Sequence, residues 1–194
     1  MPPRAKFTRE EIIEAAFQMA REEGIDVITA RELGKKLQSS ARPIFTVFEN
    51  MEEVKAEVIV RAKELYGCYI EAGLHQELAF KGVGMAYIKF SMQEPMLFQL
   101  LFMSAVSGES GVESILPQID ENYEDILRSV QKYVDTREAA DMIYQHLWTY
   151  THGIATMCAT GLCSYTLEQI GERLTQIFTA LMMEKRLNCN KKEG

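Results

Sequence analysis

The stretch QSSARPIFTVF, residues 38–48, opens on a serine pair and an Arg-Pro and closes on aromatics at Phe45 and Phe48. It reads either as a short helix capped by Ser40 with Pro43 in its first turn, or as a hydrophobic corner carrying one arginine. Its neighbours decide between the two. Upstream, Thr8-Arg-Glu-Glu11 has the capping-box form, in which a threonine hydroxyl and a glutamate three residues on satisfy each other's free amides. Ile12, Ala15, Ala16 and Met19 then fall on one face until Gly24, a natural helix stop. Thr29-Ala-Arg-Glu32 repeats the capping form and opens a brief helix through Leu33 and Leu37. Downstream, Asn50-Met-Glu-Glu53 caps a helix through Val54, Val58, Ala62 and Leu65 to about Ala72. Three helices in some forty residues, the second and third separated by a tight turn, make a helix-turn-helix pattern. Ile44, Phe45 and Phe48 are read as the apolar set that holds the third helix on the first.

Beyond residue 72 the apolar rhythm stays helical, with little strict alternation and few glycines or prolines. Helices are predicted at about 77–93, after Pro95, near 118–134, at 136–160 and at 166–186, with a loop at Ser107–Gly111 and a frayed tail from Asn188 to Gly194. Thr136-Arg-Glu-Ala and Thr166-Leu-Glu-Gln169 open the last two long helices. The fold class is therefore all-α: an N-terminal three-helix domain over residues 1–50 and a C-terminal helical bundle over 51–194, joined by the helix from about 50 to 72. The 194 residues, 47% of them hydrophobic, suffice for a substantial core.

Charge and cysteines exclude several classes. The net charge of −7 argues against a polyanion partner, but residues 1–48 carry eight Lys/Arg against seven Asp/Glu, so the acid lies in the later part. No basic n-region precedes an apolar stretch at the N-terminus, so a cytoplasmic protein is expected. The run Met142–Leu167 lacks Asp, Glu, Lys and Arg, but its glutamine, histidines and threonines suit a buried helix better than a membrane span. Cys68, Cys158, Cys163 and Cys189 show no zinc-type spacing and are read as free thiols. His146 and His152, six apart, fall on different helix faces, so no metal or cofactor is expected. The carboxylate pairs Glu10/Glu11 and Glu52/Glu53 point apart, and no serine or cysteine has a recognisable His and acid partner, so the chain is not read as an enzyme.

Residues 8–58 resemble the tetracycline-repressor (TetR) family of bacterial regulators, whose N-terminal signature is met by Thr8, Ile12, Ala15, Ala16, Gly24, Leu33, Gly34, Leu37, Ser40, Ile44, Phe45 and Phe48. Trp148-Thr-Tyr-Thr-His152-Gly153 resembles the Trp-His-Gly pattern of one C-terminal domain type in that family. The resemblance implies a homodimer that binds near-palindromic operator DNA through its N-terminal heads, joins through its last two long helices and answers to a small-molecule inducer. It points to Arg42 as a base reader, to Ser39, Ser40, Thr46 and Thr29 as hydroxyl contacts, and to Lys35 and Lys36 beside the backbone, with Arg4 and Lys6 as a small basic arm. Phe90, Phe102, Met103, Tyr144, Trp148 and His152 are the expected ligand contacts, in a pocket that Tyr87, Met92, Phe98 and Tyr150 also serve as core or wall. Gly153, Ala155 and Ala159, with the apolar face of Leu167, Ile170, Leu174, Ile177, Phe178 and Leu181, suit a four-helix dimer interface or a monomeric core.

Four positions depart from the family. Phe45, Val47 and Met51 stand where Tyr, His and Lys reach DNA phosphates, and each lost cationic contact removes about 0.9 from the salt slope of binding. Gln38 replaces the turn glycine, at a cost of about 1 kcal/mol if its φ is positive. Two functions therefore compete: a ligand-responsive repressor, or a helical small-molecule or partner-binding protein whose DNA head has decayed.

Overall fold

The computed structural model describes residues 6–103, 111–119 and 121–190. It is all-α, and no strand occurs among the described residues. The helices are α1 (Arg9–Glu23), α2 (Ala30–Lys36), α3 (Met51–Leu74), α4 (Ala79–Gln93), α5 (Pro95–Phe102), α6 (Val112–Ile119), α7 (Tyr123–Gln131), α8 (Arg137–Ala159) and α9 (Leu167–Asn190), with 3-10 turns at Ile25–Val27 and Ile44–Thr46. Among the described residues, no helix is long and apolar enough to cross a membrane.

The chain forms two compact units. Met1–Leu65 with Glu94–Ser104 make the first, and Tyr66–Gln93 with Ala105–Gly194 the second, so α3 runs from one into the other. In the first unit α1 packs on α2 and α5, burying Ile12, Ala16, Phe17 and Ala20, while Leu33, Ile44, Phe48, Val54 and Val58 complete the core. In the second, α4 is central: it packs on α7, α8 and α9, and α8 packs in turn on α6, α7 and α9.

The helix starts follow from the threonines. Thr8 accepts the Glu11 amide at 3.2 Å while the Glu11 carboxylate accepts the Thr8 amide at 2.8 Å, a complete capping box. Thr166 and Gln169 close a second box at 3.2 and 3.0 Å. Thr29 caps α2 through the Glu32 amide, but the Glu32 carboxylate turns to Lys35, which leaves that box half closed. Asn50 accepts the Glu53 amide at 2.9 Å, and Thr136 the Ala139 amide at 3.2 Å.

Three expectations need correction. The third helix is absent: residues 42–47 form turns around the 3-10 segment Ile44–Thr46, with Pro43 rather than Ser40 before it and no side-chain cap. Pro43 disfavours helical geometry at Arg42, and Ile44, Thr46 and Val47 are β-branched. The backbone therefore closes mostly over three residues, Ile44 N–H to Ala41 O at 3.1 Å and Thr46 N–H to Pro43 O at 3.2 Å. Phe45 is not core: it is 46% exposed, while Ile44 at 0% and Phe48 at 2% fill the interior alone. The helix expected near 118–134 is two, because Asn122 opens a new one by accepting the Asp125 and Ile126 amides. Of the loop expected at 107–111, residues 107–110 lie outside the described residues, as do Arg4 of the basic arm and residues 191–194 of the tail. α9 keeps residues 188–190 helical.

Candidate functional site

In the first unit the site is built around the end of α2. Gln38 takes φ +51°, the one positive φ among described residues other than glycine. Its amide bonds to Lys35 O at 2.9 Å and that of Ser39 to Gly34 O at 2.8 Å, which are the two bonds of a Schellman closure. Gly34 is required beneath it, since a Cβ there would lie 3.1 Å from the backbone of Ser40 and Ala41. The chain thus reverses tightly and presents Ser40, Arg42, Phe45 and Thr46 to solvent.

That exposed turn is fixed from behind. The Phe48 ring is buried and the Arg9 guanidinium lies over it, 4.3 Å from its centroid. Arg9 also bonds Glu53 at 2.9 Å and Glu57 at 2.7 Å. The Glu49 N–H, and then Arg9, hold the Glu53 carboxyl below its usual range. Arg42 is exposed and meets no carboxylate among the described residues. Ser39 is half-buried and accepts a bond from Lys6 Nζ at 3.0 Å, while the Thr46 hydroxyl donates to Pro43 O at 2.7 Å. Lys35 pairs with Glu32 at 2.7 Å and Lys36 with Glu22 at 3.1 Å, both on the surface. Thr29 spends its oxygen on the α2 cap. Sequence reasoning passed over Arg31, which is largely exposed on α2 one turn before Lys35. The helical spacing of residues 31 and 35 carried that signal.

In the second unit, aromatic side chains of α3, α4 and α8 surround a cavity of about 30 Å³, walled by Tyr66, Phe80, Tyr87, Tyr144, Trp148 and Thr151. Trp148 stacks on His152 with centroids 4.6 Å apart and planes 9° from parallel, and the Tyr87 hydroxyl shares a 2.9 Å hydrogen bond with His152 Nδ1. Burial pushes the His152 pKa down, which favours the neutral ring. Beside this cluster, the Tyr123 hydroxyl donates to Asp141, and burial followed by that carboxylate pushes the Tyr123 pKa up to about 12. A separate open cleft of about 430 Å³ runs between the end of α3, α4 and Leu167.

Of the six expected ligand contacts, Tyr144 and Trp148 line the cavity and His152 adjoins it. Phe90 is fully buried against Tyr66 and Tyr69, with centroids 5.4 and 5.3 Å away. Phe102 and Met103 belong to the first unit, where Phe102 packs on Phe98 at 5.5 Å. Tyr66, Phe80 and Thr151 were missed, although the i, i+3, i+4, i+7 spacing of residues 80, 83, 84 and 87, and of 144, 147, 148 and 151, marks both walls. Among the described residues no group of His, Cys, Asp and Glu could hold a metal ion, and Cys68, Cys158 and Cys163 are free thiols.

Residues 80–183, more than half of the chain, match the family described as "Tetracyclin repressor-like, C-terminal domain". The fold is similar to the crystal structure of a TetR-like transcriptional regulator from Rhodococcus sp. RHA1, with a TM-score of 0.63 at 16% identity, over 92% of this chain and 96% of that one. No curated protein matches the chain in sequence. With the helical order, the tight turn after α2 and the matched C-terminal region in hand, the chain belongs to the TetR-like family of transcriptional regulators.

Proposed function

We propose that the chain is a cytoplasmic, homodimeric repressor that binds operator DNA and releases it on binding a small molecule. The observation that carries this reading is the strained turn at 38–46, which holds Arg42 in solvent away from any described carboxylate. Two such turns, one from each protomer, enter successive major grooves about 34 Å apart. Arg42 donates in a fork to guanine, Ser40, Ser39 and Thr29 have hydroxyl protons to donate, and the Thr46 oxygen can accept. Lys35 and Lys36 exchange their surface glutamates for phosphates, which is feasible because exposed ion pairs are weak. The dimer forms through α8 and α9, a reading supported by the exposed apolar side chains Met142, Leu162, Leu167 and Met183 on and around them.

The inducer site is the aromatic cavity, of the Trp-His-Gly type. At about 30 Å³ it has room for little more than a water molecule. A ligand must therefore part Tyr87 from Tyr144 and Trp148, moving α4 against α8. The protein would switch because ligand and DNA favour different arrangements of these helices.

A second reading, a ligand-binding or partner-binding protein whose DNA head has decayed, is favoured by the missing donors at Phe45, Val47 and Met51. One titration separates the two. Against a duplex selected from a random library, Arg42→Ala is expected to weaken binding by about 1–3 kcal/mol, and Met51→Lys to strengthen it and steepen its salt dependence by about 0.9 per restored contact. Unchanged affinity in Arg42→Ala removes Arg42 as a reader. Failure of both the wild type and Met51→Lys to bind any duplex establishes the decayed head.

A further inference from the structure

Phe45 is the one exposed apolar residue of the 38–48 turn. Ile44 and Phe48 are buried, whereas Phe45 is 46% exposed, and its ring meets no other ring and no cation among the described residues. Arg42 lies three residues before Phe45, just ahead of the 3-10 segment Ile44–Thr46, and both side chains are exposed. One short turn thus offers solvent both an apolar ring and a cationic fork, three residues apart in the chain. The ring carries no hydroxyl, so it cannot hydrogen-bond a phosphate. What it offers is apolar surface alone. In the major groove the base edges present one apolar group, the C5-methyl of thymine, while guanine presents the two acceptors that suit arginine.

We propose that Phe45 reads the thymine methyl group, so that the turn selects a thymine close to the guanine taken by Arg42. The inference rests on the DNA-binding reading above and adds to it which base the aromatic recognises. It also gives the tyrosine-to-phenylalanine departure a consequence: a position that elsewhere in the family serves the backbone becomes a specificity determinant here.

The test uses the full-length wild type and Phe45→Ala, with a duplex selected by the wild type from a random library. Each thymine is replaced in turn by 2′-deoxyuridine, symmetrically in both half-sites, which removes the methyl group and leaves base pairing intact. Affinity is read by fluorescence anisotropy at fixed salt. Burial of one carbon group corresponds to about fourfold in affinity, so one thymine position per half-site is expected to weaken wild-type binding by roughly tenfold or somewhat more. The same duplex should bind Phe45→Ala no more weakly than the thymine duplex does. Uracil replacement that leaves wild-type affinity within about twofold at every position, or that weakens Phe45→Ala equally, overturns the inference while DNA binding stands. If no duplex is selected, the DNA-binding reading fails and this inference falls with it.

Discussion

The two compact units hold their helices by different chemistry. In the first, three arginines staple α1 to its neighbours: Arg9 to Glu53 and Glu57, Arg61 to Glu10 and Glu14, and Arg21 to Glu94. In the second, beside the exposed Arg137–Glu124 pair between α8 and α7, the larger part of that work falls to rings. Tyr66 and Tyr69 meet Phe90 edge-on, Phe80 stacks on Phe178 at 4.0 Å, and Tyr87 packs on Trp148 at 6.5 Å. The lesson concerns what each unit can change. Exposed charge pairs open at small cost and can be traded for phosphate, which suits the DNA contact proposed for this unit. Interlocked rings resist compression and respond as a block, which suits the inducer site proposed for this cavity.

The largest test breaks the second unit. Phe90→Ala removes a ring with no solvent exposure from between two tyrosines, and is expected to lower stability by about 3–5 kcal/mol in urea unfolding followed by circular dichroism. A loss below about 1 kcal/mol would show that the neighbouring rings collapse into the gap, so that the cluster is not the rigid block argued above.

A smaller effect asks whether every staple of the first unit is a surface pair. Glu94 is the exception: its side chain is 8% exposed and Arg21 grips it with two donors, Nε at 2.8 Å to one carboxylate oxygen and Nη2 to the other. Arg21 itself is 36% exposed, so the full cost of breaking a buried pair is discounted. Glu94→Gln is expected to lower stability by about 2 kcal/mol. A pair sheltered in this way is little screened, so the loss should persist between 50 and about 500 mM salt. A loss that vanishes at high salt places Glu94 with the surface pairs.

How far these features could be read from the sequence depends on the range of the interactions that make them. Thr8, Thr29, Asn50, Thr136 and Thr166 announced their helices because a cap is a bond over three residues, complete within the local string. The turn at 40–48 was misread because a cap candidate followed by proline also fits a helix, and only the crowding of β-branched residues around Pro43 tips it to 3-10. Phe45 was misassigned because periodicity marks apolar residues without saying how many rings the core has room for. The α4 and α8 walls of the aromatic cavity carried a helical spacing in the sequence, whereas Tyr66 enters it from α3 by tertiary packing. The Arg21–Glu94 grip, 73 residues apart, leaves no local trace.

The smallest prediction compares one motif in both units. α8 ends on the same closure as α2, with Gly161 N–H to Cys158 O at 3.1 Å and Leu162 N–H to Met157 O at 2.9 Å. Its left-handed residue is Gly161 at φ +71°, where α2 uses Gln38 at φ +51°. A side chain in that conformation costs about 1–2 kcal/mol, against which glycine loses about 0.5–1 kcal/mol of chain freedom on folding. Gln38→Gly is thus expected to stabilise the protein by about 0.5–1 kcal/mol, and Gly161→Gln to destabilise it by a similar amount, both read as shifts in thermal midpoint. The pair sharpens the contrast between the units, since the strain sits in the turn that carries Arg42 and is absent from its remote counterpart. If Gln38→Gly gains stability but loses affinity for the selected duplex, the strained residue is kept for what its backbone or side chain does at the DNA. If stability and affinity rise together, Gln38 is merely tolerated there.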